Sequence, residues 1–211
     1  MAPEAFGLYL ILTAPVAGYE VCAAAAVRRG VRTLQLRWKD APREDLLDTA
    51  QRLRALTRGT ATRFIVNDDI EIARAVDADG VHLGQHDLPL AEARRRWPAP
   101  GKLFGLSTHS LEQARQAADL APSYIGVGPV FTTPTKVVPD PVLGLWQMAE
   151  IIRSSPLTTV AIGGIDRTNL AQVLRYGAAN FCVVRAVNQR RDPEAAISEL
   201  QERWESHRRT P

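Results

Sequence analysis

The stretch RFIVNDDIEIARAVDADGVHLGQHD, residues 63–87, changes its hydrophobic period twice. Residues 63–67 are a short apolar run whose β-branched and aromatic members suit a buried strand, and residues 80–83 read the same way. Between them, residues 70–76 place apolar side chains at helical spacing. Two strands joined through a helix run parallel, with a right-handed crossover. The alternation continues in both directions. Strands are also expected at 8–13, 33–37, 103–107, 124–127, 159–162 and 181–184. Helices are expected at 19–29, 42–58, 89–96, 110–120, 145–154, 169–176 and 193–207. Eight strand–helix units of about 26 residues each approach the minimum for a closed (β/α)8 TIM barrel, an α/β fold. An open doubly wound sheet alternates too, but the GxGxxG fingerprint that would favour it is absent after the first strand. Residues 1–211 therefore read as one barrel domain, with no linker to a second.

Composition narrows the function classes. The 211 residues are 45% hydrophobic, enough apolar surface to offset the entropy of ordering a globular chain. The net charge of +3 comes partly from Arg94, Arg95, Arg96, Arg208 and Arg209. Those clusters fall on helix-like segments or in the tail and read as solvated faces, so no nucleic-acid partner is expected. Cys22 and Cys182 lie far apart in apolar surroundings, without a CxxC or Cys/His spacing, which argues against structural zinc and a disulfide scaffold. The opening MAPEAFGLYLILT has Glu4 where a signal peptide needs positive charge, and its apolar run is short. It reads as a first strand of a cytoplasmic protein without a membrane partner. A homo-oligomer remains open.

In such a barrel, catalytic residues belong at the C-terminal ends of the strands. The second strand leads into Gln35, Arg37, Trp38 and Lys39, the third into Asn67, Asp68 and Asp69, and the fourth into His86 and Asp87. The fifth ends at Ser107 and His109, and the sixth runs into a long non-periodic segment, 128–143, which holds Thr133, Thr135 and Lys136. A loop of that length in a compact domain is usually functional. The seventh ends at Gly163 and Gly164, and the eighth at Val184 and Arg185. Each feature alone has a bland explanation. Residues 67–69 could cap a helix, the glycine pair could make a tight turn, and either lysine could be solvated surface. His82, His86 and His109 form no metal-type pair and read as structural or supporting groups.

Together they are more specific. Asp68 and Asp87, on neighbouring strand ends, suit a Mg2+ ion that keeps some of its waters. Arg37, Lys39 and Lys136, with Ser107, Thr133 and Thr135, suit a diphosphate bridged by that metal. Backbone amides at Gly163-Gly164 and at the Arg185-Ala186 turn, where the last two helices are expected to open, suit a monophosphate. Two phosphorylated substrates, with magnesium on one, are the simplest reading.

The motifs QLRWKD (35–40), FIVNDD (64–69), DGVHLGQHD (79–87), GLSTHS (105–110), GVGPVFTTPTK (126–136) and AIGGI (161–165) resemble those of the thiamine-phosphate synthase family over nearly the whole chain. That resemblance implies a (β/α)8 barrel joining 4-amino-2-methyl-5-hydroxymethylpyrimidine diphosphate to a thiazole phosphate, giving thiamine phosphate and pyrophosphate. It implies that Asp68 and Asp87 hold Mg2+. It also implies that Gln35, Arg37, Lys39, Asn67, Ser107 and Lys136 contact the pyrimidine diphosphate or the released pyrophosphate. Thr133 and Thr135, with Gly164, Val184 and Arg185, then bind the thiazole phosphate. Loss of diphosphate leaves a pyrimidine-methylene cation that the thiazole nitrogen captures, so no side-chain nucleophile or base is needed, in keeping with a rim expected to lack a Ser/His pair. Three residues depart from the family pattern: Trp38 for a non-aromatic residue, His86 for an acid, and Arg185 for a serine. The alternatives are a thiazole tautomerase on the same barrel, a non-catalytic phosphate-binding barrel and a sugar-phosphate isomerase. The tautomerase relies on a histidine where this chain has Pro129, and the isomerase needs a poised base.

Overall fold

A computed structural model describes residues 5–135 and 141–209. The strands are β1 (Gly7–Leu12), β2 (Thr33–Leu36), β3 (Arg63–Asn67), β4 (Gly80–Leu83), β5 (Leu103–Thr108), β6 (Tyr124–Val127), β7 (Thr159–Ala161) and β8 (Asn180–Val183). They pair in parallel, in sequence order, and close into a barrel through β8 and β1. The helices are α1 (Tyr19–Arg28), α2 (Arg43–Thr57), α3 (Ile70–Ala75), α4 (Leu90–Arg96), α5 (Leu111–Leu120), α6 (Gly144–Ser154), α7 (Leu170–Arg175), α8 (Arg185–Asn188) and α9 (Pro193–Arg209).

The period of two in each strand divides the core. Leu8, Leu10 and Leu12 join Leu34, Leu36, Phe64 and Val66 in the apolar layer beneath the helices. Tyr9 and Ile11 belong instead to a second cluster with Tyr124, Val160 and Cys182. Each fully buried Leu or Phe contributes about 1.5–3 kcal/mol of apolar transfer. The second cluster carries phenols and a thiol, so its interior has polar work to satisfy.

Residues that precede helices explain several of the boundary differences. Pro42 and Pro89 precede α2 and α4 instead of opening them, with ψ of 138° and 140°, outside the helical range. Ser110 caps α5 by accepting from Gln113 N at 3.1 Å. A helix does open at the Arg185-Ala186 turn, but it is the four-residue α8, separate from the helix at 193–209. Asn188, at the end of α8, donates through Nδ2 to Ile11 O (2.8 Å) and Val184 O (2.6 Å), and accepts from Thr13 N (2.9 Å). The Gly163-Gly164 amides do not open a helix, because α7 begins only at Leu170. Cys22 and Cys182 are both buried free thiols. Among the described residues, no helix is long and apolar enough to cross a membrane.

Candidate active site

β3 and β4 bring the two aspartates together. Asp69, not Asp68, caps α3, accepting from Ile72 N at 2.9 Å. Asp68 takes a left-handed φ of 61°, and its amide donates to His82 O at 2.8 Å. That turn leaves its side chain to meet Lys39 Nζ at 3.1 Å and the carboxyl of Asp87. Asp87 also accepts from Gly84 N at 2.7 Å. A Cβ on Gly84 would stand 2.8 Å from that same carboxylate oxygen, so glycine lets the backbone approach.

The two carboxyls shift each other in opposite directions. Burial and the facing Asp87 carboxyl push Asp68 up to about 6, against the pull of Lys39. Burial would also raise Asp87, but the hydrogen bond from Asp68, the Gly84 amide and Lys39 hold it below the ordinary range. Two carboxylates this close repel once both ionise, which a hard cation would relieve. Among the described residues no cluster of three or more His, Cys, Asp or Glu side chains could hold a metal. The Asp68 and Asp87 carboxylates are hard oxygen donors of the kind Mg2+ accepts when water and phosphate oxygens complete its shell.

Beside this corner the barrel mouth opens into a cavity of about 430 Å³. Gln35, Arg37, Ser107, Thr133, Thr135, Gly164, Val184 and Arg185 all line it, as do Tyr9, His82, His109, Tyr124 and Cys182. Lys39, Asn67, Asp68 and Asp87 stand on the neighbouring strand ends but do not line it. Lys136 and part of segment 128–143 lie outside the described residues. His86 is exposed on the β4–α4 connection. Trp38 stacks on Tyr19, with ring centroids 5.3 Å apart, so the indole packs against α1.

At the opposite side, the segment after β6 crosses the end of β7. Val130 N donates to Ile162 O (2.8 Å) and Phe131 N to Gly163 O (3.0 Å). Gly163 has a φ of 101°, and a Cβ there would lie 2.5 Å from Pro129 Cα, so this crossing excludes a side chain. Thr133 and Thr135 hydroxyls meet at 3.1 Å. His109 Nδ1 lies 2.6 Å from Gly128 O, which ties the β5 end to the same crossing.

One expectation is corrected. The rim does contain a Ser/His pair, because Ser107 Oγ and His82 Nε2 meet at 2.9 Å. His82 pairs in register with Gly105, which places Ser107 two residues further along the adjacent strand. The other imidazole nitrogen faces Tyr124 OH at 3.2 Å, a phenol where a hydrolytic triad places a carboxylate. Burial raises the pKa of both Tyr9 and Tyr124 well above that of an ordinary phenol, so both stay protonated. Sequence reasoning missed these two phenols because a tyrosine within an apolar strand reads as core.

The strands close into a (β/α)8 barrel whose strand ends surround one polar-lined cavity, the architecture of a barrel enzyme. A family model described as thiamine monophosphate synthase matches residues 8–187. The chain is 43% identical over 204 residues to a thiamine-phosphate synthase of Anaeromyxobacter dehalogenans, covering 96% of this chain and 89% of that protein. It is 44% identical over 177 residues to one from a Roseiflexus species, covering 84% and 75% respectively. A thiamine phosphate pyrophosphorylase structure from Pyrococcus furiosus superposes with a TM-score of 0.87 at 34% identity, covering 96% of each chain. The chain belongs to the thiamine monophosphate synthase family. A 3-hexulose-6-phosphate synthase, 16% identical with a TM-score of 0.66, shares the fold alone.

Proposed function

We propose that this chain is a Mg2+-dependent thiamine-phosphate synthase, a transferase of the pyrimidinylmethyl group. The observation that carries the reading is the Asp68–Asp87 pair, with Lys39 3.1 Å from Asp68, at the edge of a cavity lined by Arg37. A bound Mg2+ ion, held by Asp68 and Asp87, would neutralise charge on a departing diphosphate. Arg37 and Lys39, with Lys136, supply further positive charge to the same group. Gln35, Asn67 and Ser107 hold the pyrimidine. Thr133, Thr135, Gly164, Val184 and Arg185 hold the thiazole phosphate across the mouth.

The C–O bond to the diphosphate breaks with its electron pair leaving on oxygen, and the 4-amino group of the ring stabilises the methylene cation. The thiazole nitrogen then forms the new C–N bond with its lone pair. Holding both partners in one enclosed mouth replaces a bimolecular encounter with a positioned one. The Ser107–His82 pair needs no nucleophilic role, since nothing is transferred to protein. The substrates are small phosphorylated molecules.

The test is incubation of both substrates with and without Mg2+, reading thiamine phosphate by mass. Magnesium-dependent product supports the proposal. No product from folded protein and verified substrates refutes it.

A further inference from the structure

Beneath the rim, five polar side chains join in one line. Gln35 Nε2 donates to Tyr9 OH (2.8 Å), and Tyr9 OH meets Tyr124 OH (2.8 Å). Tyr124 OH meets His82 Nδ1 (3.2 Å), and His82 Nε2 meets Ser107 Oγ (2.9 Å). The rings hold each other in place: Tyr124 stacks on His82 with centroids 5.6 Å apart, and Tyr9 meets Tyr124 edge-on at 5.7 Å. Gly105 makes the room, since a Cβ there would stand 2.3 Å from the Tyr124 ring and 2.5 Å from His82 Nδ1.

The donor inventory gives the line a direction. Because Tyr9 accepts from Gln35, its single proton goes to Tyr124. The Tyr124 proton then goes to His82 Nδ1, which must be bare, so the imidazole carries its proton on Nε2 and donates to Ser107. The serine hydroxyl proton is left to face the cavity. At the other end, Gln35 Oε1 is buried without a hydrogen-bond partner among the described residues, in a residue 1% exposed that lines the cavity. A buried carbonyl left unsatisfied is costly, and a ligand N–H would remove that cost.

We infer that Tyr9 and Tyr124 are positioning residues for pyrimidine selection: through a one-way hydrogen-bond line they fix Gln35 as an acceptor and Ser107 as a donor. The cavity floor thus selects a ring that brings an amino N–H to Gln35 and a ring-nitrogen lone pair to Ser107. A ring with an oxo group in place of the amino group sets carbonyl against carbonyl at Gln35. This inference rests on the synthase reading for the identity of the ligand, but the direction of the line does not.

Two measurements separate those levels. In ligand-free protein with 15N-labelled histidine, NMR should report the Nε2–H tautomer at His82, moving toward Nδ1–H in Tyr124→Phe. Imidazole protonated on Nδ1 in the unaltered protein would overturn the line whatever the enzyme makes. In turnover, Tyr9→Phe frees the Gln35 amide to turn over. KM for the pyrimidine diphosphate should rise about tenfold with kcat little changed, and discrimination against the 4-oxo analogue should fall by about tenfold. A variant that loses kcat alone, or keeps its discrimination, would reduce both tyrosines to packing. Absence of turnover in the unaltered protein, with the expected tautomer present, would sink the synthase reading and leave the line standing.

Discussion

Replacing Asp68 by asparagine should make the metal-free protein more stable and the enzyme inactive. Burial and Asp87 lift this carboxyl from the ordinary 3.8 to about 6. A folded-state value above the unfolded one means that ionisation opposes folding: the cost is absent below the unfolded value, grows between the two, and is complete above about 6. Taken whole, that lift corresponds to at most about 3 kcal/mol. The side chain is 29% exposed and its carboxyl is coupled to Asp87, so about 1–2 kcal/mol is the better expectation. Asparagine tolerates the left-handed φ of 61° and can donate to Asp87 as the protonated acid does. The lost ion pair to half-exposed Lys39 offsets little. Thermal unfolding in EDTA at pH 8 should therefore show a Tm about 3–6 °C higher for the variant, shrinking as the pH falls toward 4. Added Mg2+ should raise the Tm of the unaltered protein at pH 8 and leave the variant unmoved. A variant Tm equal to or below that of the unaltered protein at pH 8, or a gain independent of pH, would refute the account of the carboxyl pair. Retained activity would refute its role.

Two further substitutions probe the other side of the mouth. Arg185 is exposed, lines the cavity and has no side-chain hydrogen bond or ion pair among the described residues, so Arg185→Ala should raise KM for the thiazole phosphate about tenfold with kcat little altered. An unchanged KM would mean that the guanidinium merely borders the opening. Asn188→Ala removes three hydrogen bonds, one of them buried and two partly buried, and strands the Thr13 amide, which should cost about 2–4 kcal/mol in urea unfolding, with an unchanged m value. A loss below about 1 kcal/mol would show that β1 and α8 do not depend on that amide.

Strand periodicity carried the fold. The β3, β4 and β6 boundaries match expectation residue for residue, because each is a short apolar run between turn residues. The short α8 was legible only as an opening at Arg185-Ala186, because four residues complete barely one turn and show no period. At the site, convergence of Gln35, Arg37, Ser107, Thr133, Thr135, Gly164, Val184 and Arg185 was legible once strand ends were assumed to share a rim. The Asp68–Asp87 contact needed more than that assumption, because it depends on the left-handed turn at Asp68 that hands the cap of α3 to Asp69. The Ser107–His82 pair depends on the β4–β5 register, which alternation guards against a one-residue slip but does not fix against a slip of two. Tyr9 was hidden by its apolar neighbours, since polarity at a phenol's tip is invisible to a hydrophobic period.

A ring of strands has no first member, and the bonding around this one is indifferent to where translation began. β8 and β1 are matched at four positions, and the Asn180 carboxamide oxygen accepts from the amides of Phe6 (2.6 Å) and Gly7 (3.0 Å), while its nitrogen donates across the other seam to Thr159 O of β7 (3.1 Å). β7 and β8 are matched at a single position, Ala161 with Phe181. The lightest stitch in the wall thus falls between two consecutive strands, directly beneath Gly163 and Val184. The join between the beginning and the end of the chain is secured as firmly as an internal seam. Covalent order and mechanical order have been separated, and the thinnest part of the wall lies under the end of the mouth proposed to hold the thiazole phosphate.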